Sequence, residues 1–218
     1  MLVVKFGGTS VGKPERMKKI ADLVLGMSGR KIVVLSALSG TTNTLVKMGD
    51  HLLADRAQAA QQEIIELENH YRQFVQELFH STAYLAIGQE IVSRYFSLFR
   101  LLAAGTFDDR SYRELLAQGE LLSTELFYHH LQERKVNARL LPALHFMSID
   151  ENQEPELEKI GERLRKYKRE TKHSRFCSNK RETKTQLNFA LTKEEQNTVP
   201  NKSNNTRATF VEGAEDKA

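Results

Sequence analysis

The chain has 218 residues, of which 40% are hydrophobic and 28% are charged, a composition typical of one globular domain or of one domain with an appendage. No run approaches the roughly 18 continuous apolar residues that a membrane-spanning helix needs, and the first residues lack the layout of a signal peptide. We therefore expect a cytoplasmic protein without a membrane partner. The single cysteine, Cys177, cannot form an internal disulfide, and no paired-cysteine or His-Glu-x-x-His motif occurs, so we predict no metal ligands in the chain.

The excess positive charge lies at the C-terminal end. The net charge is +4, but residues 166–218 contain twelve Lys or Arg and seven Asp or Glu, so the first 165 residues carry a net charge of −1. This distribution disfavours a basic groove for nucleic acid, although a basic tail could contact polyanions weakly. Because the Lys and Arg residues of the tail are scattered among few aromatic residues, we favour a solvated tail and expect no nucleic-acid partner.

Two short apolar segments near the N-terminus predict buried strands, one over Leu2 to Phe6 and one over Lys31 to Leu35. A helix is predicted between them, because Pro14 can open a helix and apolar residues follow at helical spacing up to Gly26 or Gly29. Such a strand-helix-strand unit makes two parallel strands, and ligands bind at the carboxyl ends of parallel strands. The two segments that follow the strands are therefore candidates for a binding site.

Three helices and a strand are predicted in the middle of the chain, with the helices over 57–80, 87–102 and 119–133 and the strand over 136–141. The predicted fold class is therefore α/β. The apolar stripe of the first of these helices could also form a coiled coil with a partner. Because that stripe covers only about two heptads, we favour packing against a neighbouring helix.

The last quarter of the chain differs in composition from the rest. From about Leu164 onward few residues are apolar, and Lys, Arg, Asn, Thr and Glu follow one another without helical or strand periodicity. Such a segment buries too little apolar surface to offset the conformational entropy of folding. We predict one folded domain over residues 1–165 and a polar, basic, disordered tail over 166–218.

The most informative segment begins at Lys5, which stands at the end of a predicted strand and is followed by Gly7 and Gly8. This arrangement suits a phosphate group, because the glycines allow close approach to backbone N–H groups and Thr9 and Ser10 add hydroxyl donors. The alternative is a tight turn with a solvated lysine, and the local pattern leaves both interpretations open.

The same segment also resembles the start of a P-loop. Gly7, Gly12 and Lys13 have the spacing of that motif, but Pro14 stands where a P-loop has the Ser or Thr that binds Mg²⁺. We therefore favour Lys5, rather than Lys13, as the cation that contacts phosphate.

Two further polar segments could line the same site. Ser36 to Asn43 carries hydroxyl and amide side chains around a glycine, at the sheet edge where the first segment lies. Helix capping would explain one or two of these groups, whereas the full set favours a small polar ligand. Gln118-Gly119-Glu120 is a third polar element, which we expect directly before a helix. Glu120 could favour the helix N-terminus or bind a cationic group on a ligand, and the local sequence leaves both open.

These segments resemble the motifs of a known family. Val3 to Val11 matches the N-terminal signature of aspartate kinases, which are members of the amino-acid-kinase superfamily. Val34 to Asn43 is similar to the second loop of that family and Gln118 to Thr124 to its third, in the expected order. With further matches at 142–144 and 150–155, the resemblance covers about residues 1–165.

The resemblance implies an incomplete three-layer αβα fold of the amino-acid-kinase (carbamate-kinase-like) type. It also implies transfer of the γ-phosphoryl group of ATP to the side-chain carboxylate of L-aspartate, giving 4-phospho-L-aspartate, the first step towards lysine, threonine and methionine. The implied substrate and cofactors are L-aspartate, ATP and the Mg²⁺ carried by ATP. The parent enzyme is implied to be a homo-oligomer.

The resemblance also implies roles for individual residues. Lys5 matches the catalytic lysine, which would neutralise the transferring phosphoryl group, and Glu120 matches a glutamate that would hold the α-amino group of aspartate by charge. The implied phosphate-binding residues are Gly7, Gly8, Thr9 and Ser10, and the implied substrate-binding residues are Ser36, Thr42, Asn43 and Glu120. Such chemistry works by positioning and by electrostatic stabilisation.

The later motifs of the family have no match in this sequence. The family continues with a glycine-rich segment that ends in a catalytic aspartate, then a nucleotide-binding region and regulatory ACT domains. Here the only glycines after Glu120 are Gly161 and Gly213, and the only aspartate after Asp150 is Asp216. We therefore expect an aspartate kinase or, as the alternative, a catalytically inactive, truncated or frameshifted remnant that at most binds ligands.

Overall fold

The structure is a computed structural model that describes residues 2–152, 154–173 and 207–211. The helices are α1 (Gly8–Val11), α2 (Pro14–Gly26), α3 (Thr41–Leu53), α4 (Ala57–Leu78), α5 (Thr82–Ala104), α6 (Asp109–Glu133) and α7 (Leu157–His173). The strands are β1 (Leu2–Phe6), β2 (Lys31–Leu35), β3 (Ala138–Leu141) and β4 (Arg207–Val211). None of the helices in these ranges is long and apolar enough to cross a membrane.

The four strands form one sheet in the order β1-β2-β4-β3. Strands β1 and β2 are parallel, with Leu2 opposite Lys31 and Phe6 opposite Leu35, which confirms the predicted strand-helix-strand unit. Strand β4 is antiparallel to both of its neighbours, β2 and β3. The carboxyl ends of β1 and β2 therefore lie side by side, and the backbone N–H of Ser36 donates to the carbonyl of Phe6 over 3.1 Å.

Helix α2 connects the two parallel strands, and its ends follow from the sequence. Pro14 occupies the first turn, where a missing backbone N–H costs nothing, and Glu15 follows it near the positive end of the helix. At the other end, the buried ammonium group of Lys31 donates to the carbonyls of Val24 and Met27 over 3.0 and 2.6 Å. These bonds satisfy both the lysine and the last carbonyls of the helix, so a charged side chain can lie in the core.

Helices α3 to α6 pack on one another, and α6 also contacts β2, β3 and β4. The apolar stripe of α4 lies inside this packing, with each member at most 6% exposed: Ile64, Leu67, Tyr71, Phe74 and Leu78. The predicted packing of this helix within the chain is therefore confirmed, and the stripe is not available to a coiled-coil partner.

Helix α6 begins about ten residues before the predicted start. The carboxylate of Asp108 accepts a hydrogen bond from the backbone N–H of Ser111 over 2.8 Å and so caps the helix at this point. As a result Gln118-Gly119-Glu120 lies in the middle of α6, and the prediction that it precedes a helix was wrong. Because Glu120 is not near the N-terminus of α6, the interpretation that it favours a helix N-terminus was also wrong.

The described residues divide into two compact units, one over 2–141 with 207–211 and one over 142–173. The second unit contains a short 3-10 helix, Ala143–His145, and helix α7. The backbone N–H of Glu156 donates to the carbonyl of Ser148, and the Ser148 hydroxyl donates to the Glu156 carboxylate, so these two residues join the segment before α7 to the segment after the 3-10 helix.

Two parts of the predicted tail have regular structure. The boundary that we predicted between residues 165 and 166 lies within α7, and Arg207–Val211 is β4, one of the two inner strands of the sheet, rather than a disordered segment. This strand has a local cause, since Ala-Thr-Phe-Val has high β-propensity although the sequence around it is polar. The predicted disorder of residues 174–206 and 212–218 lies outside the described residues.

His130 is a buried base in α6. Its side chain is 2% exposed, and neither ring nitrogen makes a hydrogen bond within the part of the chain that the structure describes. Burial lowers the pKa of His130 to about 4, with the charge of Arg134 acting in the same direction and that of Glu133 against it. The unfolded side chain titrates near pH 6.5, so this histidine makes the fold less stable as the pH falls from about 6.5 towards 4.

We expect His130→Phe to remove this pH dependence. Between pH 7 and pH 5, the free energy of unfolding of the wild type should fall by about 2 kcal/mol relative to that of the variant. Urea unfolding of both proteins at the two pH values measures this change, and the contributions of other titrating groups cancel in the comparison. A difference between the two proteins that is the same at both pH values would contradict a neutral, buried imidazole.

Candidate functional site

Three polar segments that are far apart in the sequence meet in the first unit, and the glycines of the first segment touch the second. A Cβ atom added at Gly8 would lie 3.0 Å from the carbonyl oxygen of Ala37. One added at Gly12 would lie 2.6 Å from the Cβ of Ser39 and 2.9 Å from the carbonyl oxygen of Gly8. Only glycine therefore allows the turn after β1 to lie against the segment after β2.

The third segment, in α6, contacts the second in the same way. A Cβ atom added at Gly119 would lie 3.0 Å from the Cβ of Ala37 and 3.2 Å from the Cγ2 of Thr41. One helical turn further on, the Ser123 hydroxyl donates to the carbonyl oxygen of Ser36 over 2.8 Å. The glycine and the serine thus join the middle of α6 to the end of β2.

This convergence brings two opposite charges to one place. Lys5 is exposed near the end of β1, and Glu120 is half-buried in α6, beside Gly119. Burial raises the pKa of Glu120 to about 7, while the positive charge of Lys5 opposes that rise. At neutral pH the glutamate is therefore poised between its charged and uncharged forms, a state typical of groups in binding or catalytic sites.

The turn after Lys5 is a single turn of helix, α1. Gly7 caps the turn, and the first N–H groups of such a turn have no acceptor within it. A Cβ atom at Gly7 would meet no atom within 4 Å, so one side of the turn is open, and Thr9 and Ser10 are exposed. The carbonyl of Thr9 accepts a 2.7 Å hydrogen bond from Arg16, which holds the turn against α2. Exposed hydroxyls and open space beside a lysine fit a phosphate group.

The other predicted substrate-binding residues lie around the start of α3. Thr42 and Asn43 are exposed in its first turn. Ser36 takes part through its backbone, whose N–H and carbonyl join it to β1 and to α6. The structure thus places every predicted site residue on one of the three converging segments.

Tyr71 is a residue near this site to which the sequence reasoning gave no role beyond packing. It is fully buried in α4, and its hydroxyl lies 2.9 Å from the Oγ1 of Thr41, the first residue of α3. Burial raises the pKa of Tyr71, and the negative charge of Glu120 adds to the rise. The sequence signal for this hydrogen bond is a tyrosine within an apolar stripe, because a buried tyrosine hydroxyl needs a hydrogen-bond partner.

Among the residues that the structure describes, no group of three or more His, Cys, Asp or Glu side chains could hold a metal ion. Two charged groups of the site, Lys5 and Glu120, interact with each other. Such a pair can bind an ammonium group and an anionic group side by side, for example those of an amino acid and of a phosphate.

Comparison with known proteins identifies the family of this chain. The profile of the amino acid kinase family matches residues 1–179. The chain belongs to the amino acid kinase family. Within that family it is similar to aspartokinases, which confirms the resemblance that the sequence motifs indicated.

Two curated relatives illustrate the similarity. Aspartokinase 2, chloroplastic, of Arabidopsis thaliana is 32% identical over 160 residues, which cover 68% of this chain and 28% of the relative. Lysine-sensitive aspartokinase 3 of Escherichia coli (strain K12) is 33% identical over 142 residues, which cover 64% of this chain and 30% of the relative. The chain thus spans less than a third of the length of these relatives.

Solved structures agree with the sequence comparison. Escherichia coli aspartokinase III in complex with aspartate and ADP superposes with a TM-score of 0.64 and 28% identity, over 79% of this chain and 39% of that chain. The same enzyme in complex with lysine and aspartate gives a TM-score of 0.61 and 27% identity. The fold class predicted from the sequence, an incomplete αβ fold of the amino-acid-kinase type, is confirmed.

Proposed function

We propose that this chain forms the aspartate-binding and phosphoryl-neutralising part of an aspartate kinase. The reaction is the ATP-dependent phosphorylation of the side-chain carboxylate of L-aspartate, a step towards lysine, threonine and methionine, and the proposed location is the cytoplasm. The observation that carries the proposal is the electrostatic interaction of Lys5 with Glu120 where the three segments meet. The structure of a relative with aspartate and ADP bound supports this choice of ligands.

In the proposed chemistry the two charged side chains contact different groups, the α-ammonium group of aspartate and the phosphoryl group of ATP. The Glu120 carboxylate pairs with the α-ammonium group of aspartate and so fixes which carboxylate points towards ATP. Lys5 offsets negative charge on the phosphoryl group during transfer, while the exposed side chains of Thr9 and Ser10 donate to phosphate oxygens. Thr42 and Asn43 hold the substrate from the start of α3. Mg²⁺, carried by ATP, supplies further charge neutralisation at the phosphates.

The alternative is that a polypeptide of these 218 residues binds ligands without turnover. It is supported by the share of the aligned aspartokinase chain that this chain spans, which is 39%. An assay that couples ADP release to NADH oxidation, with aspartate and ATP, separates the two proposals. Aspartate-dependent turnover supports the kinase, whereas aspartate binding without turnover supports the alternative.

We expect Lys5→Met to weaken ATP binding by about tenfold or more, because one charge-assisted contact to phosphate is lost. Lys13→Met is the matched control, since it removes an exposed lysine on the other side of the same turn, directly before α2, and the P-loop interpretation would require it instead. Calorimetry with ATP on both variants makes the comparison. Equal losses in the two variants would contradict the assignment of Lys5.

The same pair of variants has a readout that needs no ligand. Because Lys5 opposes the rise that burial causes, Lys5→Met should move the pKa of Glu120 further above 7, and Lys13→Met should leave it unchanged. Titration of the Glu120 side-chain carboxyl by carbon NMR measures this directly. An unchanged pKa in Lys5→Met would show that the two charges do not share a site.

A further inference from the structure

Thr41 is held by two different helices. Its hydroxyl lies 2.9 Å from the hydroxyl of Tyr71 in α4. Its methyl group, Cγ2, is 3.2 Å from the position that a Cβ would occupy on Gly119 in α6. Threonine has one polar and one apolar branch at Cβ, so a single side chain can make both contacts.

These contacts fix a residue that lies directly before two proposed substrate-binding residues. Thr41 is 2% exposed and is the first residue of α3, directly before Thr42 and Asn43. Its backbone N–H donates to the carbonyl of Leu38 over 3.0 Å. The tyrosine hydroxyl therefore connects α4 to the first residue of the helix that carries Thr42.

We propose that Tyr71 is a positioning residue, whose hydrogen bond to Thr41 holds the start of α3 in place so that Thr42 and Asn43 meet the same aspartate molecule as Glu120. Tyr71 itself does not touch substrate. It acts through Thr41, and its rigid ring is held by the packing of α4, since the side chain is completely buried. The identity of the ligand in this inference rests on the proposed function, whereas the coupling between Tyr71 and the start of α3 does not.

The test uses variants that remove single contacts. Tyr71→Phe removes only the tyrosine hydroxyl, and Thr41→Val removes only the threonine hydroxyl while it keeps a branched side chain against Gly119. The double variant shows whether the two changes act through one bond. Tyr95→Phe is the matched control, because it removes another hydroxyl with a 2.9 Å hydrogen bond, to Glu125, from a buried tyrosine that joins α5 to α6.

Hydrogen exchange measures the positioning without any ligand. We expect the backbone N–H groups of residues 40–45 to exchange about three to ten times faster in Tyr71→Phe and in Thr41→Val, with no further increase in the double variant. Tyr95→Phe should leave these rates unchanged. Exchange rates that equal the wild type in Tyr71→Phe, or effects that add in the double variant, would overturn the inference.

Calorimetry then tests the consequence for the ligand. With L-aspartate alone, we expect Tyr71→Phe and Thr41→Val to raise the Kd about three- to tenfold, and with ATP alone to leave it unchanged. A general loss of stability would weaken both ligands, so the ratio of the two affinities isolates positioning. If the wild type binds no aspartate, the proposed function fails, and the exchange data alone then support or overturn the coupling. Aspartate binding that is equal in the wild type and in Tyr71→Phe would overturn the positioning role.

Discussion

Replacing Glu120 by glutamine should abolish most aspartate binding and at the same time make the protein more stable at pH 8. The amide keeps the size of the side chain but cannot pair its charge with the α-ammonium group, and loss of one partner of a partly buried charge pair typically weakens binding by about thirtyfold or more. Calorimetry with L-aspartate measures this loss. Binding within threefold of the wild type would remove Glu120 from the site.

The gain in stability follows from the pKa of Glu120. Burial raises that pKa from 4.5 to about 7, so the folded state binds the proton more tightly than the unfolded state does. The stability that this group contributes is complete below pH 4.5 and is lost as the pH rises through 7. Glutamine is uncharged at every pH, and we expect Glu120→Gln to be about 1–2 kcal/mol more stable than the wild type at pH 8, less than the full shift would imply because the side chain is only half-buried.

Aspartate binding should depend on pH for the same reason. Below about pH 7 the wild-type Glu120 is mostly protonated and pairs poorly with an ammonium group, so the affinity for aspartate should rise between pH 6 and pH 8. Glu114→Gln, which removes one negative charge two turns earlier in α6, is the matched control and should keep both the affinity and its pH dependence. An affinity of the wild type that is flat over this range would contradict the raised pKa.

Much of the site could be predicted because two of its three segments follow parallel strands. A strand-helix-strand unit places the carboxyl ends of both strands at one edge, so the convergence of Gly7 to Ser10 with Ser36 to Asn43 follows from local sequence and from one topological rule. The third segment is recognisable as a short polar element and by resemblance, but its sequence does not predict where it lies in the fold. Its place beside Ala37 depends on the path of α6, which local sequence does not determine.

The parts that were missed each have a physical cause. The local sequence predicts the start of α6 too late, because Gln118 to Glu120 has the polar character of a segment before a helix, whereas the cap lies at Asp108. The apolar stripe of α4 accounts for the buried ring of Tyr71 but not for the hydrogen bond of its hydroxyl. Strand β4 is five residues long, and the average composition of the polar segment around it concealed its β-propensity. In all three cases a single polar group or a short segment determines the local structure, and the average composition or periodicity of a longer stretch of sequence does not reveal it.

The strongest structural effect should come from Gly119→Val. A Cβ atom at this position already lies 3.0 to 3.2 Å from Ala37, Leu45 and Thr41, and the two methyl groups of valine would extend further into the same space. The segment after β2 cannot move aside easily, because Ser123 also bonds the carbonyl of Ser36. We expect the free energy of unfolding to fall by about 3 kcal/mol, a value at the upper end for overpacked cores.

Gly119→Ala and Gly161→Val complete this test. Alanine adds only the Cβ atom, and its better helix propensity offsets part of the crowding, so we expect a loss of about 1 kcal/mol or less with weakened aspartate binding. Gly161 lies in α7, where an added Cβ would meet only the flexible end of Arg165 at 3.5 Å, so the same change to valine should be nearly neutral. Urea unfolding measures all three variants. If Gly119→Val were as stable as Gly161→Val and still bound aspartate, α6 could not lie directly against the segment after β2, and the meeting of the three segments would have to be abandoned.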